Sequence, residues 1–207
     1  MSTADPETIA FYDREAAAYA DWTGGQGLPA RFTRFAAALA PGAAVLDLGC
    51  GGGWAARALR DRGHRVTALD ASAGLLAGLA DEPGIETVHG GFLDLAPGAR
   101  FDAVWASFSL QHAPRAALPA ILAHVAGTLR PGGRLCLGVH EGTETLRDRL
   151  GRLYCHHTEA GMTALLRAAG LAVTEASFED DTGYDGRPIR CMTLTAAKPR
   201  GTTGGRE

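Results

Sequence analysis

The chain has 207 residues, with 20 basic and 23 acidic side chains and a formal net charge of −3, which is enough sequence for one α/β domain with a full core and too little for two. Its charges are interleaved, without the dense basic cluster that phosphate-dominated nucleic-acid binding calls for, and no run of about 18 apolar residues is present to cross a bilayer. The start lacks the basic-then-apolar order of a secretory leader, and four scattered cysteines (Cys50, Cys136, Cys155, Cys191) read as free thiols, so a cytoplasmic protein without a metal centre is expected.

The first periodic segment runs from Glu7 to Trp22. Ile9, Tyr12, Ala16 and Tyr19 recur at steps of three and four, which predicts a helix with one apolar, aromatic face. A glycine-rich connector, Thr23 to Pro29, leads to a second amphipathic helix over Ala30–Ala40 that Pro41 and Gly42 end. Val45 to Leu48 then reads as the end of a buried strand, followed by Gly49-Cys50-Gly51-Gly52-Gly53 and a helix over Trp54–Arg62. Glycine tolerates positive φ and lets a ligand lie against bare backbone, while the first N–H groups of the following helix need partners. Strand, turn and helix together predict a small-molecule cradle.

Gly63 stops that helix, and Arg65–Asp70 is a second strand whose terminal acid stands about twenty residues beyond the turn, where a carboxylate accepts ribose hydroxyls. Ser72 is placed to cap a helix over Ala73–Asp81. A third strand, Ile85–His89, precedes Gly90-Gly91-Phe92-Leu93-Asp94, and a fourth, Phe101–Ser107, is apolar enough to be central in a parallel sheet. A helix over Arg115–Leu129, an Arg-Pro-Gly-Gly stop and a fifth strand over Gly133–Val139 follow. Thr143 to Thr158 is an Arg-rich connection, Glu159–Ala169 a last helix, and Leu171–Phe178 with Ile189–Ala196 a closing pair of strands around an acidic turn; residues 199–207 read as a disordered tail.

Gly51, Gly53 and Ala56 also satisfy a dinucleotide fingerprint, but a carboxylate at Asp47, just ahead of the turn, would repel a pyrophosphate and suit a ligand carrying an amino group and a sulfonium. The run Asp47-x-Gly49-x-Gly51-x-Gly53 resembles the first motif of the class I S-adenosylmethionine-dependent methyltransferases. The string FDAVWASFSLQHAP, with LRPGG behind it, is similar to those members whose fourth strand ends in a short LxH turn. The resemblance implies an α/β, Rossmann-like doubly wound sheet of seven strands in the order 3-2-1-4-5-7-6, the seventh antiparallel. It also implies a lid and connector over 1–29 and a catalytic domain over 30–198.

S-adenosylmethionine is the implied cofactor, with Asp47, Gly49, Cys50, Gly51, Gly53, Asp70, Ala71, Ser72, Ala106 and Ser107 around it. The family often carries an acid where Gly91 stands, so the adenine contact is expected to pass to Phe92 or Asp94. For the substrate, the lid aromatics Tyr12 and Tyr19 and the residues Arg152, Tyr154 and His156 are candidates. The aromatics read equally well as core, and Arg147 with Glu144 or Arg149 with Asp148 as a solvated charged face. A base matters only for an acceptor that arrives protonated; His112 is the first candidate and His140 the second, each weighed against a merely structural histidine. Residues 106–109 read Ala-Ser-Phe-Ser, where methyltransferases of adenine or glutamine amino groups carry a different motif, and no Pro-Cys nucleophile occurs there. A small-molecule acceptor with an oxygen, nitrogen, sulfur or carbon nucleophile is therefore expected, in a monomer or homodimer without nucleic-acid or membrane partners. A non-catalytic S-adenosylmethionine-binding protein and an RNA methyltransferase are the alternatives, with an NAD-linked oxidoreductase behind them.

Overall fold

The structure is a computed structural model and describes residues 3–200. The chain enters through two short helices, α1 (Pro6–Arg14) and α2 (Ala16–Gly24), where a single helix is expected from the periodicity. Glu15 breaks the helix with φ −99° and ψ 13°. The break lets the two halves dock on different partners. Asp13, near the end of α1, accepts hydrogen bonds from Ser72 Oγ at 2.7 Å and from the Gly74 N–H at 3.0 Å, while α2 crosses the glycine turn so closely that a Cβ at position 52 would lie 2.6 Å from Ala20 Cβ. α1 starts cleanly because Asp5 accepts the Thr8 N–H at 2.9 Å and Pro6, which lacks an N–H, costs nothing in the first turn.

Helix α3 (Ala30–Ala37) precedes β1 (Ala44–Leu48), α4 (Trp54–Arg60), β2 (Arg65–Asp70), α5 (Ala73–Ala77), β3 (Ile85–His89) and β4 (Phe101–Ser107). After a 3₁₀ turn at Leu110–His112, the helix expected from Arg115 begins as a second 3₁₀ turn and becomes α6 (Leu118–Thr128). The Arg-Pro-Gly-Gly run, expected as a stop, lies inside the long β5 (Leu129–His140); the register slips between Phe101 and Ala103 where β5 joins β4. The Arg-rich connection folds into a small hairpin, β6 (Thr145–Arg147) with β7 (Leu153–Cys155), before α7 (Glu159–Ala168), β8 (Ala172–Thr182) and β9 (Pro188–Ala197).

The large sheet has the order β3-β2-β1-β4-β5-β9-β8, with β9 antiparallel to both neighbours and the remaining pairs parallel. With the small hairpin left aside, this is the expected order. Alternate residues of β4 feed opposite faces, Ala103 and Trp105 packing with Phe32, Phe35 and Leu59, and Val104 and Ala106 packing with Ile121, Leu122 and Leu166. Both faces are therefore covered, and the carboxyl ends of β1, β2, β4 and β5 meet in one crevice. Among the described residues no helix is long and apolar enough to cross a membrane.

Candidate active site

The crevice begins at the glycine turn. Gly49 and Gly51 hold φ of 72° and 55°, the left-handed region that side-chain-bearing residues avoid. The Gly49 and Cys50 N–H groups donate to Leu69 O at 2.7 and 3.0 Å, tying the turn to the end of β2. Asp70 completes the link: its carboxyl accepts the Gly51 N–H at 2.8 Å on one oxygen and the Ser72 N–H at 2.9 Å on the other. A carboxylate has about four acceptor sites over its two oxygens, so acceptor capacity remains for a ligand. Around these lies a cavity of about 660 Å³, with Ala71, Ser72, Phe92 and Ser107 on its walls and Gly90 and Gly91 at one end. Its position at the carboxyl edge of the sheet, between Asp70 and the glycine turn, suits a nucleoside-bearing molecule.

Asp47 lies beneath the turn, not on this wall. It is 2% exposed, and its Oδ2 has no hydrogen-bond partner. Burial, and next the neighbouring Asp70 carboxyl, push its pKa up to about 8, against the pull of the Ala56 backbone N–H. The expected carboxylate charge in front of the turn is thus largely absent at neutral pH, and the carboxyl that borders the cavity is that of Asp70, which burial also pushes up against the pull of the Ser72, Gly51 and Ala71 backbone N–H groups. Because the folded state keeps a proton that the unfolded chain gives up near pH 4, the stability Asp47 contributes is complete in acid and disappears as pH rises through about 8. Burial acts oppositely on three histidines, holding His112 and His157 at about 4 and His140 at about 3, so stability also falls as the unfolded chain takes up protons below about pH 6.5. The expected result is a melting temperature that declines from about pH 6.5 to 8.5 in the wild type and declines less in Asp47→Asn. The same slope in both proteins would mean that Asp47 is ionised.

A second cavity, of about 910 Å³ and open to solvent, adjoins the first, and Tyr12, Tyr19, Ser107 and Phe108 border both. Aromatic rings form much of its wall, with Gln26, Arg31, Gln111 and Asp181 among the polar groups beside them. Tyr19 packs edge-on to Tyr12 at 4.9 Å and to Tyr184 at 5.3 Å, and Tyr184, at the tip of the β8–β9 hairpin, meets Trp22 at 5.2 Å. Arg152 is buried among them, its guanidinium 4.9 Å from the Phe11 ring and 5.3 Å from that of Tyr154, and Asp148 neutralises it at 2.6 Å. Phe108 is the one described non-glycine residue with positive φ, 57°, held there by its N–H donating to Gly138 O at 2.8 Å. That conformation is costly, and it fixes the ring between the two cavities.

The two histidines differ. His112 borders the first cavity, and both its ring nitrogens are engaged, Nδ1 with Leu153 O at 2.6 Å and Nε2 with the Tyr12 hydroxyl at 3.1 Å. Since a carbonyl only accepts, Nδ1 carries the proton and the tyrosine hydroxyl donates to Nε2. His140 borders the second cavity.

A methyltransferase-domain family model matches residues 45–133. The ubiquinone biosynthesis O-methyltransferase of Xanthomonas campestris pv. campestris is 33% identical over 181 residues, covering 78% of this chain and 74% of that one. The chain belongs to the class I S-adenosylmethionine-dependent methyltransferases. The malonyl-[acyl-carrier protein] O-methyltransferase of Erwinia pyrifoliae is 31% identical over 142 residues, which are 65% of this chain and 53% of that relative, so the match spans about half its length. Among solved structures, a Burkholderia thailandensis 1,6-didemethyltoxoflavin-N1-methyltransferase, bound to 1,6-didemethyltoxoflavin and S-adenosylhomocysteine, superposes with a TM-score of 0.72 at 27% identity over 96% of this chain and 92% of that one. A [4+2]-cyclase shares the fold at 20% identity and a TM-score of 0.71.

In this methyltransferase the expected cofactor residues divide by where they lie. Gly49, Gly51, Asp70, Ala71, Ser72, Phe92 and Ser107 border the first cavity; Asp47, Cys50, Gly53, Asp94 and Ala106 do not. Cys50 turns its side chain into the core, Ala106 is enclosed on the α6 side of the sheet, and Gly53 is small because a Cβ there would come within 2.4 Å of Leu79. Asp94 spends its carboxylate on the Gly91 N–H at 2.7 Å and braces the loop from behind. Of the substrate candidates, Tyr12, Tyr19, Arg152 and Tyr154 border the second cavity, whereas His156 stands behind His140 with ring centroids 5.4 Å apart. The expected pairing of Arg147 with Glu144 is replaced by Arg147 with Asp5 at 2.7 Å, and Asp148 pairs with Arg152, not Arg149. Phe108, Gln111, Trp22 and Tyr184 were not singled out by the sequence. An aromatic in the acidic turn after β8 was the available signal for Tyr184.

Proposed function

We propose that this methyltransferase acts on a small, planar aromatic acceptor bearing a hydroxyl or a ring N–H, which enters the second cavity while S-adenosylmethionine occupies the first. The observation that carries this reading is the shared border of the two cavities at Tyr12, Tyr19, Ser107 and Phe108. An acceptor atom and a methyl group brought together there are enclosed by rings, which exclude water and hold the two in line. The bound cofactor supplies a methyl group already activated on a sulfonium.

The protein supplies the cradle. Gly49 and Gly51 leave backbone bare that would receive the amino-acid end, Asp70 would accept the ribose hydroxyls with its remaining acceptor capacity, and Phe92 with the Gly90–Gly91 backbone would border the adenine. Residues 3–29 act as a lid, since α1 and α2 contribute Tyr12, Tyr19 and Trp22 and rest on the glycine turn through Ala20. The ring-lined wall favours a flat ligand, because aromatic pairs gain about 0.5–1.5 kcal/mol beyond area burial. The internal Arg152–Asp148 pair leaves that part of the wall without net charge. A relative named as an O-methyltransferase and a structural neighbour named as an N1-methyltransferase are in keeping with either acceptor atom.

The test is transfer of isotopically labelled methyl from S-adenosylmethionine to a panel of hydroxylated and N–H-bearing aromatic compounds, with aliphatic carboxylic acids and amines beside them. Label is expected in the aromatic set. Label confined to the aliphatic set would overturn the acceptor class.

A further inference from the structure

We propose that His140, and not His112, takes the proton from the acceptor during methyl transfer. This deepens the reading above and rests on it. His112 has no nitrogen to spare: Leu153 O takes its Nδ1–H at 2.6 Å, and the Tyr12 hydroxyl occupies its Nε2 at 3.1 Å. It fixes Tyr12, and with it one wall shared by the two cavities. His140, at the end of β5, borders the acceptor cavity, and among the described residues neither of its ring nitrogens makes a hydrogen bond.

The ring is also held in place. It stacks on Tyr154 with centroids 5.1 Å apart and planes 6° apart, and Phe108 bounds it at 5.8 Å. Its backbone is pinned on both sides, the N–H donating to Gln111 Oε1 at 3.0 Å and the carbonyl accepting the His157 N–H at 3.0 Å. A base works by geometry before it works by pKa, and this one cannot drift from the cavity wall.

Burial first, then the neighbouring His156, His112 and Arg152, hold His140 near a pKa of about 3, so its free nitrogen carries a lone pair at any physiological pH. So weak a base cannot ionise a phenol beforehand, but it need not. The acceptor's lone pair forms the new bond to the methyl carbon, the carbon–sulfur bond breaks with its electron pair passing to sulfur, and the hydroxyl proton becomes strongly acidic as the oxygen gains positive charge. That proton moves late to His140 and leaves for water at the cavity mouth. The same environment that weakens the base favours its rapid release of the proton. Proton transfer to a positioned base in the transition state contributes about 10²–10⁴-fold, and a base this weak belongs at the lower end of that range.

Two measurements test the assignment on the full-length protein. Diethyl pyrocarbonate acylates an unengaged, neutral imidazole nitrogen, and peptide mass spectrometry locates it without any knowledge of the acceptor. His140 is expected to be modified and His112 protected; modification of His112 with His140 protected would overturn the proposal. The second is kcat/KM for a series of substituted phenols, from phenol to 4-nitrophenol, in wild type and His140→Ala. The loss is expected to be about 100-fold for phenol, protonated at the assay pH, and to shrink below about threefold for 4-nitrophenol, which arrives ionised, with S-adenosylhomocysteine affinity unchanged. An equal loss along the series would mean that His140 only packs against Tyr154, and would overturn the role. If wild type methylates no phenol, the hydroxyl-bearing half of the acceptor class fails, whereas the acylation pattern still decides which histidine offers a free ring nitrogen.

Discussion

Replacing Gly49 by alanine is expected to abolish S-adenosylhomocysteine binding at concentrations that saturate the wild type. The new Cβ would stand 2.2 Å from Ser109 Cβ, a distance that atoms do not reach, at a residue with φ of 72°. Neither side yields easily, because Gly49 N–H is bonded to Leu69 O at 2.7 Å and Ser109 Oγ to Leu48 O at 2.6 Å. Left-handed strain of about 1–2 kcal/mol and overpacking of about 1–3 kcal/mol fall together on the turn that carries the cradle. At 2–4 °C for each kcal/mol in a domain of this size, the melting temperature should drop by roughly 4–20 °C. Gly63→Ala is the control: its φ is 81° and no atom lies within 4 Å of the added Cβ, so it bears the strain without the collision and far from the cleft. A Gly49→Ala protein that binds as tightly as Gly63→Ala would remove the glycine turn from the cofactor site.

Arg152→Ala is expected to be the most destabilising single change in the acceptor wall. Arg152 is 2% exposed, and Asp148 holds it through Nε at 2.9 Å and Nη2 at 2.6 Å while its own backbone N–H returns to Asp148 Oδ1 at 2.9 Å. Removing the guanidinium strands a buried carboxylate, at a cost of about 3–5 kcal/mol, and empties the space between the Phe11 and Tyr154 rings. The melting temperature should fall by roughly 6–20 °C. The double variant Arg152→Met, Asp148→Leu should recover much of that loss, since replacing a buried pair by apolar groups is often neutral. A double variant less stable than Arg152→Ala would mean that the pair itself, and not the stranded charge, governs this wall.

What the sequence revealed of the fold follows from how its strands are buried. β1, β4 and β5 are covered on both faces, so their apolar runs are unambiguous, and the glycine turn and Asp70 follow from them. Local pattern was silent where tertiary packing overrides it. The helix expected from Glu7 to Trp22 has an unbroken apolar period, and only the docking of Asp13 on Ser72 and Gly74 shows why it must divide. Spacing reports that an acid, Asp47, precedes the turn but not that the sheet encloses it and that burial pushes its pKa up to about 8. Arg152 and Asp148 are four residues apart, a spacing that on a helix would mark a solvated pair; across the tight β6–β7 hairpin it becomes a buried one. The rings of Trp22 and Tyr184 come together from opposite ends of the chain, a contact no local window contains.

Calorimetric titration of the wild type and Asp70→Ala with S-adenosylhomocysteine, with NADH as the comparison ligand, tests the central claim most directly. The wild type should bind S-adenosylhomocysteine one to one and ignore NADH. Asp70→Ala should bind about 10–100-fold more weakly, the loss of charge-assisted hydrogen bonds worth about 1.5–3 kcal/mol. Equal affinity in the two proteins, or binding of NADH in place of S-adenosylhomocysteine, would contradict the assignment of the first cavity to the methyl donor.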